Sequence, residues 1–141
     1  MSILRRLSTR SRLKFWAEAG LGPLEEAVNY AHLRASDGLR GILFLTNYRL
    51  IWRIHEPGHP PGSGFSLALN NIVAAEPTPD VSEQAVFRVA APESSGEVVY
   101  LDFFPQRVDR ASLQLSVDLY KDLIAELERI ADLRRADGVA D

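Results

Sequence analysis

The chain has 141 residues, 16 basic and 19 acidic side chains, a formal charge of −3 and no cysteine. That length suits one domain able to bury a core unaided, and the missing thiols exclude disulfides, thiolate zinc sites and cysteine nucleophiles. No apolar run approaches the roughly 20 residues that cross a bilayer and no Asn-x-Ser/Thr sequon occurs, so the expected setting is cytoplasmic.

Positive charge is concentrated at the front. Arg5, Arg6, Arg10, Arg12 and Lys14 precede the first acid, Glu18, leaving 11 basic against 19 acidic residues elsewhere, a balance of −8. No nucleic-acid-binding surface is expected there. Ile3, Leu4, Leu7 and Leu13 lead to Phe15 and Trp16 at helix-compatible spacing, with arginines and serines between them. Residues 1–20 therefore read as a basic amphipathic arm. Three readings stay open: it packs on its own domain or frays; it contacts a partner or an anionic membrane through Arg5, Arg6, Arg10, Arg12, Lys14, Phe15 and Trp16; or it is an organellar presequence.

Gly20-Leu21-Gly22-Pro23 breaks any helix, so the main domain is expected over residues 21–135, with a tail at 136–141. Glu25-Glu26-Ala27 permits a helical turn, but Val28, Tyr30 and His32 alternate with smaller residues and predict a strand from Ala27. Residues 34–38 end in Asp37-Gly38, a turn signal. Gly41 to Ile54 then reads as a β-hairpin: two apolar runs flank Thr46-Asn47-Tyr48-Arg49, where Asn47 tolerates the positive φ of a tight turn. In the first arm Ile42, Phe44 and Thr46 face one way and Leu43 and Leu45 the other, which predicts a strand covered on both sides. In the second arm Leu50, Trp52 and Ile54 share a core face, while Ile51, Arg53 and His55 drift toward solvent.

Glu56 to Gly64 holds three prolines and three glycines and predicts an exposed loop. Phe65 to Leu69 alternates as a strand, and Asn70-Asn71 turns the chain into a strand beginning at Ile72-Val73. A loop at residues 77–80, a strand at 85–90, a loop at 92–96 and a strand at 97–104 follow, with Pro105 ending the ladder. From Asp109 the period becomes helical, with Leu113, Val117, Tyr120, Ile124, Leu127 and Ala131 stepping by three or four beside Leu119, Leu123, Ile130 and Leu133. Asp109 is placed to cap that helix, and Arg129, Arg134 and Arg135 suit its carbonyl end.

Catalytic signatures are missing. No Gly-x-Ser-x-Gly elbow, phosphate-binding Gly-x-x-x-x-Gly-Lys or dinucleotide Gly-x-Gly-x-x-Gly is present, and no enzyme activity or cofactor is expected. His32, His55 and His59 lack the companions of a metal cage, so no metal is expected. Glu25-Glu26 and the acids Asp118, Asp122, Glu126 and Glu128 read as a solvated face. Arg49, just past the hairpin turn, is expected to lock it by binding carbonyls or a carboxylate.

Gly-x-Leu-x-Leu-Thr-Asn-x-Arg-Leu-Ile-Trp at residues 41–52, followed by Phe65-Ser66-Leu67-Ala68-Leu69-Asn70-Asn71-Ile72, resembles the pleckstrin-homology-like (PH-like) GRAM and GLUE domains. It is also similar to the PH-like domains of the Bardet-Biedl syndrome 5 protein. Ala68 stands where that pattern often has Pro. The resemblance covers residues 24–130 and implies an α+β fold, a strongly bent antiparallel β-barrel of about seven strands capped by a C-terminal α-helix. It further implies that phosphoinositide headgroups meet basic side chains around the loop joining the first two strands. The basic candidates are Arg34 and Arg40 there, with Arg53 and Arg88 on later strands.

Two functions follow as expectations. The first is a non-catalytic adaptor that binds other proteins of a larger assembly through a sheet edge, the Pro/Gly loop or the arm, in membrane trafficking or ciliary transport. The second is a peripheral membrane module binding phosphoinositides or anionic lipids through Arg34, Arg40, Arg53, Arg88 and the arm.

Overall fold

A computed structural model describes residues 16–77 and 87–136. Seven strands form one antiparallel sheet: β1 (Ala27–Ala35), β2 (Arg40–Thr46), β3 (Arg49–Ile54), β4 (Gly64–Ala68), β5 (Ala74–Glu76), β6 (Phe87–Pro92) and β7 (Val98–Pro105). Their order is β4-β3-β2-β1-β7-β6-β5, so β4 and β5 are the two edges. A helix, α1 (Arg110–Ala136), follows β7.

The predicted hairpin is present, with Leu43 opposite Trp52 and Leu45 opposite Leu50. Its turn is fixed by side chains. Thr46 Oγ1 accepts from the backbone N–H of Tyr48 and of Arg49, both at 3.0 Å. Asn47 exchanges two bonds with Glu26: its Oδ1 accepts from Glu26 N–H at 2.8 Å, and its own N–H donates to Glu26 O at 3.1 Å. The turn is thereby stitched to the residue before β1.

Period-two alternation separates two cores. On the inner face Leu33, Leu43, Leu45, Leu50, Trp52 and Phe103 pack under Leu119 and Leu123 of α1. On the outer face Ile42, Phe44 and Ile51 are fully buried beneath Trp16 and Ala19. The expectation that the Ile51 face drifts toward solvent thus fails at Ile51, because residues 16–19 cover it, and holds only further along at Arg53 and His55.

Other boundaries shift for identifiable reasons. The strand expected at Ile72-Val73 begins at Ala74, since Leu69–Asn71 forms a 3₁₀ turn closed by Ile72 N–H on Leu69 O at 3.2 Å. Pro105 ends the ladder as expected, one residue later than the strand bound at 104: it is itself the last residue of β7, opposite Leu33, where a missing N–H is tolerated. The strand expected at 85–90 is β6, which continues to Pro92; residues 85 and 86, like the loop at 78–80, lie outside the described residues. Asp109 caps α1, with Oδ1 accepting from Ser112 N–H at 2.7 Å. The buried seam of α1 is narrower than the sequence stripe: Leu119 and Leu123 are fully buried, but Leu113 and Leu133 are exposed. A helix of 27 residues is about 40 Å long, and near its C-terminal end Arg134 Nη2 donates to Asn70 Oδ1 at 3.1 Å.

Candidate functional site

The sheet stays open at β4 and β5 instead of closing into the expected barrel. The four strand arginines named from the sequence all alternate onto its outer face, and each is engaged within the fold. Arg40 forks onto Glu56, Nε to Oε2 at 3.0 Å and Nη2 to Oε1 at 3.2 Å, while its backbone N–H donates to Oε2 at 2.8 Å. Those bonds hold the Glu56 carboxyl below its ordinary pKa. Arg88 forks onto Asp102 on the neighbouring strand at 2.7 and 3.1 Å and covers the Tyr100 ring. Arg34 lies 4.8 Å over the Phe104 ring centroid. Arg53 donates to the backbone oxygen of Glu18 at 3.4 Å.

Nor do the four converge. Arg34 and Arg40 are register partners on β1 and β2, but β2, β1 and β7 separate the strand of Arg53 from that of Arg88. A phosphate cluster needs several donors aimed at one point, and this arrangement supplies pairs directed at carboxylates and rings.

The open end of the sheet, between the β1–β2 loop and the start of β4, holds a cavity of about 210 Å³. Its walls include Trp52, Ile54, Phe65 and Phe103, with Asp37 and Asp102 among the polar lining residues and no Arg or Lys among the described residues that line it. The place where the resemblance implies a headgroup thus presents carboxylates and apolar side chains.

Of the arm, residues 16–20 are described; Arg5, Arg6, Arg10, Arg12, Lys14 and Phe15 lie outside the described residues. Trp16, expected to touch a partner or membrane, is buried instead. Its ring lies 5.0 Å from Phe44 and 6.0 Å, edge-on, from Tyr30. Polar contacts hold this covering strap: Arg53 on Glu18 O, the His55 ring against the Glu18 carboxylate, and Arg49 Nη2 on Gly20 O at 2.9 Å.

Arg49 is the centre of a latch that sequence reasoning half anticipated. Its Nε and Nη2 grip the Glu25 carboxylate at 2.7 and 2.9 Å, and Nη1 donates to Ser66 Oγ at 3.0 Å. Thr46 Oγ1 donates to Glu25 Oε2 at 2.6 Å. Glu25, assigned to a solvated face from sequence, is thus nearly buried, its side chain 7% exposed. The Arg49 hydrogen bond, opposed by burial, draws its pKa down to about 2.

Beside the latch runs a shallow groove of about 530 Å³, walled by Pro23, Leu24 and Tyr48 and floored by Ser66 and Ala68 of edge strand β4. Leu24 is 81% and Tyr48 56% exposed. Neither was singled out from the sequence; the one available signal was an aromatic at the apex of a polar turn.

Among the described residues no group of three or more His, Asp or Glu side chains has metal-binding geometry, and no helix is long and apolar enough to cross a membrane. Burial, His55 and Arg107 push the pKa of His32 down.

No protein-family model matches the chain, and no curated protein matches it significantly. Solved structures do. The Vps36 N-terminal PH domain is similar with a TM-score of 0.54 and 20% identity, over 79% of this chain and 86% of that one. The hSac2 domain from human phosphoinositide phosphatase Sac2 is similar with a TM-score of 0.56 and 15% identity, over 90% of this chain and 81% of that one. At such identities the likeness concerns the fold: a seven-stranded antiparallel sheet with a C-terminal helix, PH-like.

Proposed function

We propose that this chain is a non-catalytic PH-like adaptor that binds another protein as part of a larger cytoplasmic assembly. One observation carries the reading: each of the four strand arginines named as headgroup candidates is already bound to a carboxylate, a carbonyl or a ring, whereas apolar side chains stand exposed beside an open sheet edge. Headgroup binding at Arg40 or Arg88 would first break a two-bond ion pair. A trafficking or ciliary setting rests on the sequence resemblance to GRAM, GLUE and Bardet-Biedl syndrome 5 domains.

The alternative, a module for anionic lipids, draws its support from the five cations of the arm, each contributing about 1 kcal/mol near an anionic surface. Sedimentation with vesicles of graded phosphoinositide content separates the two. The full chain and a chain beginning at Trp16 are compared at low and physiological salt. The adaptor reading expects any binding to vanish with the arm and with salt. Headgroup-selective binding that survives both would replace it with the lipid reading.

A further inference from the structure

The two edges of the sheet are unequal. Strand β5 spans three residues, whereas β4 spans five. The ladder parity of β4 follows from its flanks: Leu69 N–H donates to Tyr48 O and Ile54 N–H to Ser63 O, both at 2.8 Å. With Leu50 opposite Leu67 and Trp52 opposite Phe65, alternate residues of β4 point their backbone groups at β3. The N–H and C=O groups of Gly64, Ser66 and Ala68 therefore point away from the sheet, and all three residues are exposed.

Those same residues have the smallest side chains of the strand. On the outer face Ser66 and Ala68 make a flat shelf, and Pro23, Leu24 and Tyr48 rise beside it to form the groove. The one acid and one base within the groove, Glu25 and Arg49, neutralise each other through two hydrogen bonds. An open row of alternating donors and acceptors next to a charge-compensated apolar wall complements one kind of ligand: an extended, uncharged backbone with an apolar side chain on the groove side.

We propose that edge strand β4 is a peptide-docking site, at which an uncharged extended segment of a partner protein pairs antiparallel or parallel with Gly64, Ser66 and Ala68 and seats an apolar side chain between Leu24 and Tyr48. This rests on the protein-binding reading and specifies its surface.

The test uses the full chain and a displayed library of random linear peptides. An enriched peptide is then measured against Ser66→Ala, Ser66→Pro and Leu24→Asp. Ser66→Ala keeps the outward N–H and should weaken binding less than Ser66→Pro. Ser66→Pro removes an N–H that the β3 ladder does not use, and Leu24→Asp places a charge in the groove; each should weaken binding at least about tenfold. Against the unaltered protein, peptides N-methylated at successive backbone positions should lose affinity at alternate positions, a period of two that only strand pairing imposes. That series keeps the result independent of how the variants fold. Enrichment of no peptide overturns the proposal, as does a peptide indifferent to Ser66→Pro and to N-methylation. In the latter case binding to protein stands and its place moves elsewhere, whereas the vesicle experiment judges the protein-binding reading by itself.

Discussion

Arg49 and Glu25 face each other across 24 residues of sequence, with Nε 2.7 Å from Oε2 and Nη2 2.9 Å from Oε1. Through Thr46 Oγ1 and Gly20 O the pair joins the strap, the hairpin turn and the start of the sheet. Because folding lowers the Glu25 pKa from 4.5 to about 2, its contribution to stability is complete above about pH 4.5 and is lost as pH falls through about 2. Glu25→Gln should cost about 2 kcal/mol at neutral pH. Urea unfolding of parent and variant should show that gap closing between pH 4.5 and 2; a gap that stays constant would remove the ion pair from the stability account.

Trp16 is part of the core although it stands within the residues read from sequence as an arm. Trp16→Ala should destabilise by about 3 kcal/mol, since it uncovers Ile42, Phe44 and Ile51. In calorimetry a chain beginning at Gly20 should melt at a clearly lower temperature than one beginning at Trp16. Equal melting of the two would mean that the strap contributes nothing to the outer core.

Leu123 anchors α1 on the sheet and is fully buried with Leu119. Leu123→Ala should cost about 2–5 kcal/mol, while Leu113→Ala, at an exposed site in the first turns of α1, should change stability by less than about 0.5 kcal/mol. Similar losses at both positions would contradict the narrow seam described above.

Gly64 combines a φ of +138° with a backbone so close to β3 that an added Cβ would lie 1.8 Å from Trp52 O. Gly64→Ala should cost about 2–4 kcal/mol by forcing β4 off β3. Chemical denaturation reads this directly, and a neutral substitution would show that β4 is more loosely held than its register implies.

What was legible in the sequence was local. The hairpin at 41–54, the Asp109 cap and the C-terminal helix each carry their signal within a few residues, as period, turn chemistry or capping side chain. The partners of the arginines do not. Glu56 lies 16 residues from Arg40, Asp102 lies 14 from Arg88 and Glu25 lies 24 from Arg49, so no spacing rule connects them. The role of Arg49 was inferred because its place beside a turn demands a lock, but the acid that it binds could be seen only in three dimensions. For residues 16–19 the sequence left several readings open for a related reason: an amphipathic pattern shows that a face will be covered and not which surface covers it.

The most direct test of whether the strand arginines serve the fold or a ligand is an amide NMR titration of the full chain with a soluble inositol polyphosphate at physiological salt. The adaptor account predicts no saturable shifts at Arg34, Arg40, Arg53 or Arg88 and their strand neighbours. Saturable shifts converging on the β1–β2 loop and those four residues would contradict it, and would make the open end of this sheet a headgroup site.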